Sequence, residues 1–473
     1  MTSSVLSASI AVACAAALAL PIAAPAGAAT PPTGSAATPF PGSTQSLTLR
    51  PTTDRSTDTS AAAEVSRRTV KPFSLVGVVW KDKNRHLDGT VEVRTRPVGS
   101  TSWTGWRAVE THNDDHAPDP GTAEAASTAV RGATAPLWVG NSDGVQVRVR
   151  AKAPAGSSRA AVAPLPEGLR LDLVDPGPDP KPDPKPTDPT ATDPTAADPT
   201  ATDPTAADPT AADPTAADPT AAGHHAADPA GHAPSTAGPE SDDESDPSEL
   251  PALSKEATAA DLERTTGDEA GPYIAPRPRI VTRKGWGADE SVRESAFLYT
   301  DSVKAAFVHH TATGNNYTCA QAPSLLRGIY RYHVKSLGWR DIGYNFLIDK
   351  CGTLYEGRAG GVTKAVQGAH TLGFNADSTG VAVLGSFGSA DPPAAVITAL
   401  SRFTAWKLGL TGADPAGKTT LVSEGGNRYP KGTEAKLNVI SGHRDGFSTE
   451  CPGARLYAKL GTIRSEAAHY QGR

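Results

Sequence analysis

Residues 176–272 contain no aromatic side chain and hold 19 of the 42 prolines of this 473-residue chain. Asp-Pro-Thr recurs seven times between Asp188 and Thr220, with a period of five residues that is too short for a solenoid repeat. The segment carries 4 basic and 21 acidic residues, and repeated proline with charge of one sign favours an extended, self-repelling chain. We therefore predict a disordered linker over 176–272 that tethers two folded parts.

The charge differs strongly between the two parts and the linker. Residues 1–175 carry 17 basic and 15 acidic groups, whereas residues 273–473 carry 24 and 15, so the last part has a net charge of +9. This distribution excludes a uniformly basic nucleic-acid-binding protein. A positive domain suits an anionic polymer, because long-range attraction raises the rate of encounter. Ordinary solvated surface charge is the alternative explanation.

The first 70 residues predict an export signal followed by a disordered segment. Val5–Leu20 is an apolar, alanine-rich run, shorter than the roughly 20 residues that a membrane-spanning helix needs. Ala26-Gly27-Ala28 offers a cleavage site, so we predict a signal peptide over 1–29 and a secreted protein, extracellular or wall-associated, with no transmembrane anchor after cleavage. Residues 30–70 are rich in Thr, Ser, Pro and Ala with one aromatic residue, which predicts disorder.

Residues 71–175 have the pattern of a β domain. Apolar and charged residues alternate with a period of two in TVEVRTR (90–96) and VQVRVR (145–150), and FSLVGVVW (73–80) is a further candidate strand. We predict a small all-β, sandwich-like domain of unknown role. Its loop HNDDHAPDP (112–120) mixes two histidines with three aspartates and could hold Ca²⁺ or Zn²⁺, or simply be a polar hairpin loop.

Residues 273–473 have the pattern of an α/β domain. Candidate strands at 304–311, 344–349, 353–358, 380–387 and 437–443 alternate with amphipathic helices at 325–337 and 393–410. Strands that alternate with helices favour a mixed central β-sheet flanked by helices.

Three cysteines remain after the export signal: Cys319, Cys351 and Cys451. An odd number in an oxidising compartment leaves one thiol unpaired, and three cysteines allow three choices of which one this is. A Cys319–Cys351 pairing is permitted by the short-range topology and would leave Cys451 free. Cys451 lies eight residues after His443. His309 and His310 are adjacent at the end of a strand, where successive side chains point to opposite faces, so one of the two can face a given pocket. One thiolate, two imidazoles and a vacant position form a familiar ligand set for catalytic zinc.

Five motifs occur in an order that resembles a known family. They are VHHT (308–311), YHVKSLGWRDIGYNFLID (332–349), YEGR (355–358), GAHTLGFN (368–375), and GHRD with TECPG (442–453). Together they resemble the peptidoglycan recognition proteins and the zinc-dependent N-acetylmuramoyl-L-alanine amidases that share their fold. The resemblance covers 277–470 and implies the fold of 273–473.

The resemblance implies a role for each matching residue. Zn²⁺ would be bound by His309, His443 and Cys451, with His310 turned away. Tyr344 and Thr449 would be the catalytic residues beside the zinc, and the substrate groove would be lined by His333, Trp339, Arg358, His370 and Asn375. Core packing is the alternative for Trp339. Binding-only relatives usually lack the thiolate, so Cys451 favours an enzyme.

The sequence thus predicts a secreted zinc amidase, acting as a monomer, that cleaves the amide between N-acetylmuramic acid and L-alanine in peptidoglycan. Anionic wall polymers are further candidate partners. The alternative is a non-catalytic peptidoglycan-binding or scaffold protein. Eukaryotic relatives often follow the EGR motif with Gly-Trp or Asn-Phe, but Ala359-Gly360-Gly361 stands here, so the relatives' preference for diaminopimelate or lysine does not transfer.

Overall fold

The structure is a computed structural model that describes residues 42–52, 62–111, 113–152, 164–179, 236–237 and 247–473. The predicted export signal over 1–29 and the Asp-Pro-Thr repeats lie outside these residues. Within the ranges that the structure describes, no helix has both the length and the apolar character needed to cross a membrane.

The N-terminal part is an antiparallel sheet in which β1, β8, β3, β7, β4 and β5 follow one another, with β2 and β6 also paired to β3. β7 alternates buried and half-buried residues from Val145 to Val149, as the period-two pattern predicts, whereas β3 is mostly exposed over residues 66–72 and fully buried from Leu75 to Trp80. Its elements are β1 (Ser43–Thr48), β2 (Arg50–Pro51), β3 (Ala62–Trp80), β4 (Gly89–Pro97), β5 (Arg107–Val109), α1 (Ala123–Ala126), β6 (Gly132–Ala133), β7 (Leu137–Ala151) and β8 (Arg170–Asp175).

The prediction of disorder over 30–70 was wrong for residues 43–51 and 62–70, which form β1, β2 and the first half of β3. These stretches carry few large apolar residues, so local composition gave no signal. They are held by pairing with distant strands: β1 pairs with β8 along its whole length, and the start of β3 pairs with the end of β7. Tertiary pairing supplies the stabilisation that the local sequence lacks.

The C-terminal part is a mixed sheet in the order β10, β11, β15, β14, β16, β13, β19, with α4 on one face and α5 and α8 on the other. This confirms the predicted α/β fold. Its elements are β9 (Thr236–Ala237), β10 (Glu249–Leu250), α2 (Lys255–Thr266), β11 (Ile280–Val281), α3 (Arg283–Trp286), β12 (Phe297–Leu298), β13 (Ala305–His310), α4 (Ala322–Arg331), β14 (Phe346–Ile348), β15 (Leu354–Glu356), β16 (Ser378–Val383), α5 (Ala394–Gly409), β17 (Lys418–Val422), β18 (Glu434–Asn438), β19 (Ile440–Gly442), α6 (His443–Gly446), α7 (Ala454–Tyr457) and α8 (Leu460–Gln471).

The predicted linker was too long at its C-terminal end, because 247–272 is folded. Ser254 caps α2 through a bond from the Ala257 N–H. Asp261 on this helix forms an ion pair with Arg277 at 2.7 Å, and the Thr258 hydroxyl accepts the Arg277 N–H. The helix is thus fixed to the start of the α/β domain by contacts that a scan for aromatic residues does not detect.

One hydrophobic cluster contains residues of both parts, in addition to the clusters that each part has of its own. Leu75, Val79 and Val174 of the β domain lie in the same buried cluster as Leu325 and Ile329 of α4. At the same interface the hydroxyl of Tyr332, in a π-helical turn that extends α4, donates to the carbonyl of Thr134 at 3.0 Å. Gly77 permits this approach, since a Cβ there would lie 2.2 Å from the Tyr332 hydroxyl oxygen. The β domain therefore packs directly on the α/β domain.

Candidate metal centre

Two adjacent parallel strands bring the predicted ligands together. His309 lies near the carboxyl end of β13, and His443 follows directly after β19, which pairs with β13 in parallel. Cys451 lies in the following loop, where its Sγ accepts the His310 N–H at 3.4 Å. His310 points away, and its Nδ1 accepts the Phe387 N–H at 3.2 Å. The carboxyl ends of parallel strands meet at one edge of a sheet, which brings His309 and His443 together. Cys451, 142 positions after His309, reaches the same site from the loop.

Each ligand residue keeps one donor atom directed at the centre. Nε2 of His309 lies 3.2 Å from Nδ1 of His370, which leaves its Nδ1 facing Cys451 Sγ at 3.8 Å. Nε2 of His443 donates to the Asp115 carbonyl at 3.1 Å, which leaves its buried Nδ1 without a hydrogen-bond partner. Burial lowers the pKa of both imidazoles, that of His443 to about 3, so both are neutral, as metal ligands must be.

A fourth donor, His116, comes from the β domain. Its Nδ1 lies 2.6 Å from the Asp115 carboxylate, and its Nε2 lies 3.7 Å from Cys451 Sγ. One donor atom each from His116, His309, His443 and Cys451 lie within 4.8 Å of one another, and all four residues are buried. Zinc ligands lie about 2.0–2.3 Å from the ion, which places neighbouring ligand atoms of a tetrahedron about 3.3–3.8 Å apart. The donor set therefore fits zinc in type, and the distances from Cys451 Sγ to His116 Nε2 and to His309 Nδ1, 3.7 and 3.8 Å, lie within this range.

His116 is the site residue that sequence analysis missed. The loop HNDDHAPDP was recognised as a possible metal-binding segment, but as a site of its own. Nothing in the sequence linked His116 to His443, from which it is separated by more than 300 residues; in the structure their rings lie 4.5 Å apart between centroids.

Tyr344 and Thr449 both line a cavity of about 450 Å³ that adjoins the centre and lies between the two domains. The Tyr344 ring lies 5.6 Å from the His309 ring, and burial raises the pKa of its hydroxyl, which therefore remains an O–H donor. The Thr449 hydroxyl accepts the Cys451 N–H at 3.2 Å. Their catalytic roles stay predictions.

The five predicted groove residues are buried in the structure. His333 stacks on Trp339 at 4.5 Å between ring centroids and accepts the Gly343 N–H at Nδ1. His370 lies behind His309, and Asn375 accepts the backbone N–H groups of residues 370 and 371 at its Oδ1. Substrate binding by these residues stays a prediction.

Arg358 and Asn375 contact the β domain instead of solvent. The guanidinium of Arg358 pairs with both carboxylate oxygens of Glu124, at 3.0 and 2.9 Å. The carboxylate of Asp119 accepts the Gly373 N–H, the Asn375 N–H and the Asn375 side-chain amide, at 2.6, 3.1 and 2.8 Å. The groove predicted for substrate is thus filled by one segment of the β domain.

Two of the described cysteines form a disulfide and the third is free, as the zinc hypothesis requires. Cys319 and Cys351 form a disulfide whose Cα atoms are 6.2 Å apart, and it joins the start of α4 to the turn between β14 and β15. Among the cysteines that the structure describes, Cys451 is the free one, and it is buried. Its thiol is therefore available as a ligand.

Known proteins match both parts of the chain. Residues 299–454 match the N-acetylmuramoyl-L-alanine amidase family, and residues 28–195 match the family described as Rv3811 N-terminal galactose-binding domain-like. Peptidoglycan-recognition protein SC2 of Drosophila simulans is 33% identical over 183 residues, which are 39% of this chain and 85% of that protein. The solved structure of Drosophila PGRP-LB is 27% identical and covers 39% of this chain and 93% of its own, with a TM-score of 0.31.

The fold and the matched motifs assign the C-terminal part of the chain to the class of amidase-like domains. Peptidoglycan-recognition protein LE of Drosophila melanogaster is a further relative, 32% identical over 39% of this chain and 46% of that protein. The chain belongs to the peptidoglycan-recognition protein family, as the five motifs predicted.

Proposed function

We propose that this protein is a secreted, zinc-dependent N-acetylmuramoyl-L-alanine amidase of bacterial peptidoglycan. The observation that carries the proposal is the convergence of His309, His443 and Cys451, each with one donor atom left over for a metal. Two neutral imidazoles and one thiolate are the type of ligand set found in catalytic zinc sites. The match to the amidase family and the retained thiolate support catalysis over binding alone.

Zinc with a position open to water supplies Lewis-acid chemistry and lowers the pKa of that water to about 7. The surrounding residues position the substrate for this chemistry. Tyr344 remains protonated, because burial and the neighbouring Cys451 and Asp115 raise its pKa, so its O–H can donate to the oxyanion that develops on the amide carbonyl. Thr449, two residues before the cysteine ligand, is the second candidate donor.

Arg358 is the candidate group for recognition of the stem peptide. A buried guanidinium that binds a carboxylate through two parallel hydrogen bonds suits the free carboxylates of such a peptide. His333, Trp339, His370 and Asn375 belong to the same proposed groove. The ligand we propose is a muropeptide; peptidoglycan-recognition protein LE, a relative of this chain, has been solved in complex with monomeric diaminopimelic acid-type peptidoglycan. The +9 charge of residues 273–473 suits anionic wall polymers.

The test is mass analysis of products released by the zinc-loaded full chain from purified walls of two cross-bridge chemistries. We expect stem peptides with a free N-terminal alanine and glycan that keeps its lactyl groups. Cys451→Ser should remove this release, while Ser386→Ala, on the same cavity wall but outside the donor set, should retain it. Stem peptide released equally by the Cys451→Ser protein would overturn the proposed mechanism.

The four-donor arrangement favours one alternative function, a wall-binding protein with a closed zinc site. Structural zinc sites have four protein ligands, whereas catalytic sites keep one position open. The two functions differ in what happens when His116 is removed: a latent amidase gains turnover, and a binding protein does not.

A further inference from the structure

The segment 113–126 leaves the β domain after β5 and returns to it before β6. Between these strands it contacts the metal centre and the groove through the backbone carbonyl of Asp115 and through four side chains, those of Asp115, His116, Asp119 and Glu124. We call this segment the inserted loop. All four side chains are buried, although three are acidic and the fourth is a histidine. Such groups are rarely buried unless they are paired, so the partner of each side chain explains why it is buried.

His116 is held in the orientation of a metal ligand. The Asp115 carboxylate at 2.6 Å fixes the His116 ring through Nδ1 and directs Nε2 towards Cys451. A metal-binding histidine usually donates its other ring N–H to a carboxylate or carbonyl, which fixes the tautomer. His443 has the same arrangement, with Nε2 bonded to the Asp115 carbonyl. Asp115 therefore orients two of the four imidazole and thiolate donors.

Asp119 and Glu124 occupy the groove in the way that substrate carboxylates would. Glu124 binds Arg358 through both oxygens and also accepts the Arg340 N–H at 3.0 Å. Asp119 accepts three N–H bonds from residues 373 and 375. A stem peptide also carries carboxylates, so the inserted loop satisfies the same donors by the same chemistry.

We propose that His116 is the fourth zinc ligand and that the inserted loop is an intramolecular occupant of the substrate groove, so that this form of the enzyme is latent. His116 would occupy the coordination position that water requires, and Glu124 occupies the guanidinium of Arg358, which a peptide carboxylate would otherwise bind. The latency depends on the proposed amidase function, whereas the ligand and the occupied groove do not. The adjoining cavity, which has Asp115 and His116 in its wall, provides space into which these residues can move when the loop is released.

The ligand assignment is tested in the full chain with Co²⁺ in place of zinc. Wild-type protein should show the visible absorption of a four-coordinate site together with a thiolate-to-cobalt band. His116→Ala should keep the thiolate band, change the visible absorption, and bind zinc about tenfold or more weakly in competition with a chelator. His469→Ala, an exposed histidine on α8, is the matched control. Identical spectra and zinc affinity for wild type and His116→Ala would overturn the assignment.

The occupied groove is tested by muropeptide binding, measured with a labelled N-acetylmuramoyl tripeptide. Glu124→Gln removes the charge that holds the loop on Arg358 but leaves all four donor atoms in place. We expect this variant to bind the probe at least tenfold more tightly than wild type. Glu92→Gln, which alters the surface pair with Arg148 inside the β domain, is the control and should bind as wild type does. Equal binding by wild type and Glu124→Gln would overturn the proposal.

Release of stem peptide separates this inference from the proposed function. Latency predicts that His116→Ala releases stem peptide at least tenfold faster than wild type, and that His116→Ala with Cys451→Ser releases none. If the spectra and probe binding change as expected and no variant releases stem peptide, the ligand and the occupied groove stand and the amidase function fails. If wild type and His116→Ala release stem peptide at the same rate, the amidase stands and the latency is overturned.

Discussion

Replacing Glu124 by alanine isolates the contact that holds the inserted loop against the groove. The side chains of Arg358 and Glu124 are 5% and 3% exposed, and they form two hydrogen bonds of 3.0 and 2.9 Å. Removing one partner of such a buried pair costs about 3–5 kcal/mol, because the remaining charge is left without compensation. Here the two partners belong to different domains, so release of the loop lets water reach Arg358 again.

The penalty should therefore appear in loop release, and the free energy of global unfolding should fall by no more than the same amount. At about 1.4 kcal/mol for each factor of ten, 3–5 kcal/mol corresponds to a population of the released loop that is larger by a factor of roughly 10² to 4 × 10³. Three backbone N–H groups report this directly, those of Leu372, Gly373 and Asn375, because each donates to Asp115 or Asp119. Their hydrogen exchange should accelerate by that factor in Glu124→Ala, while exchange within β7 stays constant.

Glu92→Ala is the control, since it breaks a half-exposed ion pair within the β domain and should leave exchange at residues 372–375 unchanged. A different result would refute the reasoning. If Glu124→Ala lowers the free energy of unfolding of the whole chain by about 3–5 kcal/mol and leaves exchange at residues 372–375 as in wild type, the pair stabilises the fold and does not govern the loop.

Cys451→Ser should weaken zinc binding by about tenfold or more in chelator competition without changing the Cys319–Cys351 disulfide, because a hydroxyl is a poorer zinc ligand than a thiolate; unchanged affinity would exclude Cys451 as a ligand. Replacing both Cys319 and Cys351 by serine should lower the free energy of unfolding by about 3–4 kcal/mol, from the closure of a loop of 32 residues, as measured by denaturant unfolding; an unchanged midpoint would contradict this. Loop docking should also depend on pH through Asp119. Burial, and to a smaller extent the charge of Glu424, raises the pKa of Asp119 from 3.8 to about 7, although the hydrogen bonds from residues 373 and 375 act to lower it. Lys431 is the cation near Asp119 and Glu424. Because the docked pKa lies above the free value, protonated Asp119 favours docking at low pH, and this contribution is lost as the pH rises from 3.8 to about 7. Exchange of the Gly373 amide should therefore gain an excess acceleration over this pH range that Asp119→Asn lacks; the same excess in both proteins would exclude this carboxyl as the cause.

The sequence predicted the α/β fold because its strands and helices carry their own periodicity. The apolar run before His309 became β13, and the helical spacing from Leu325 onward became α4. The folded segments that were missed, at 43–51 and 62–70, have little periodicity and depend on β8 and β7, which are more than 70 residues away in the chain. Local composition does not contain the information about such pairing.

Of the four candidate metal donors, three were predicted from the sequence and one was not. His309, His443 and Cys451 were predicted because the family motifs mark them, and parallel strand ends bring the two histidines together. His116 lies in the other domain and in a loop rich in aspartate, which by itself indicates either a local metal site or a polar turn. Only the docking of the β domain on α4 places it beside Cys451. Its role is a property of the domain interface.

The face of α4 that contacts the β domain has a practical consequence for dissection of this protein. Leu325 and Ile329 are fully buried, with Leu75 and Val79 in the same cluster, so an excised C-terminal half would present an uncovered apolar surface to water. Such a fragment would tend to self-associate, and a failure to digest walls would then reflect aggregation instead of absent chemistry. Release of the inserted loop is therefore best studied with substitutions in the intact polypeptide.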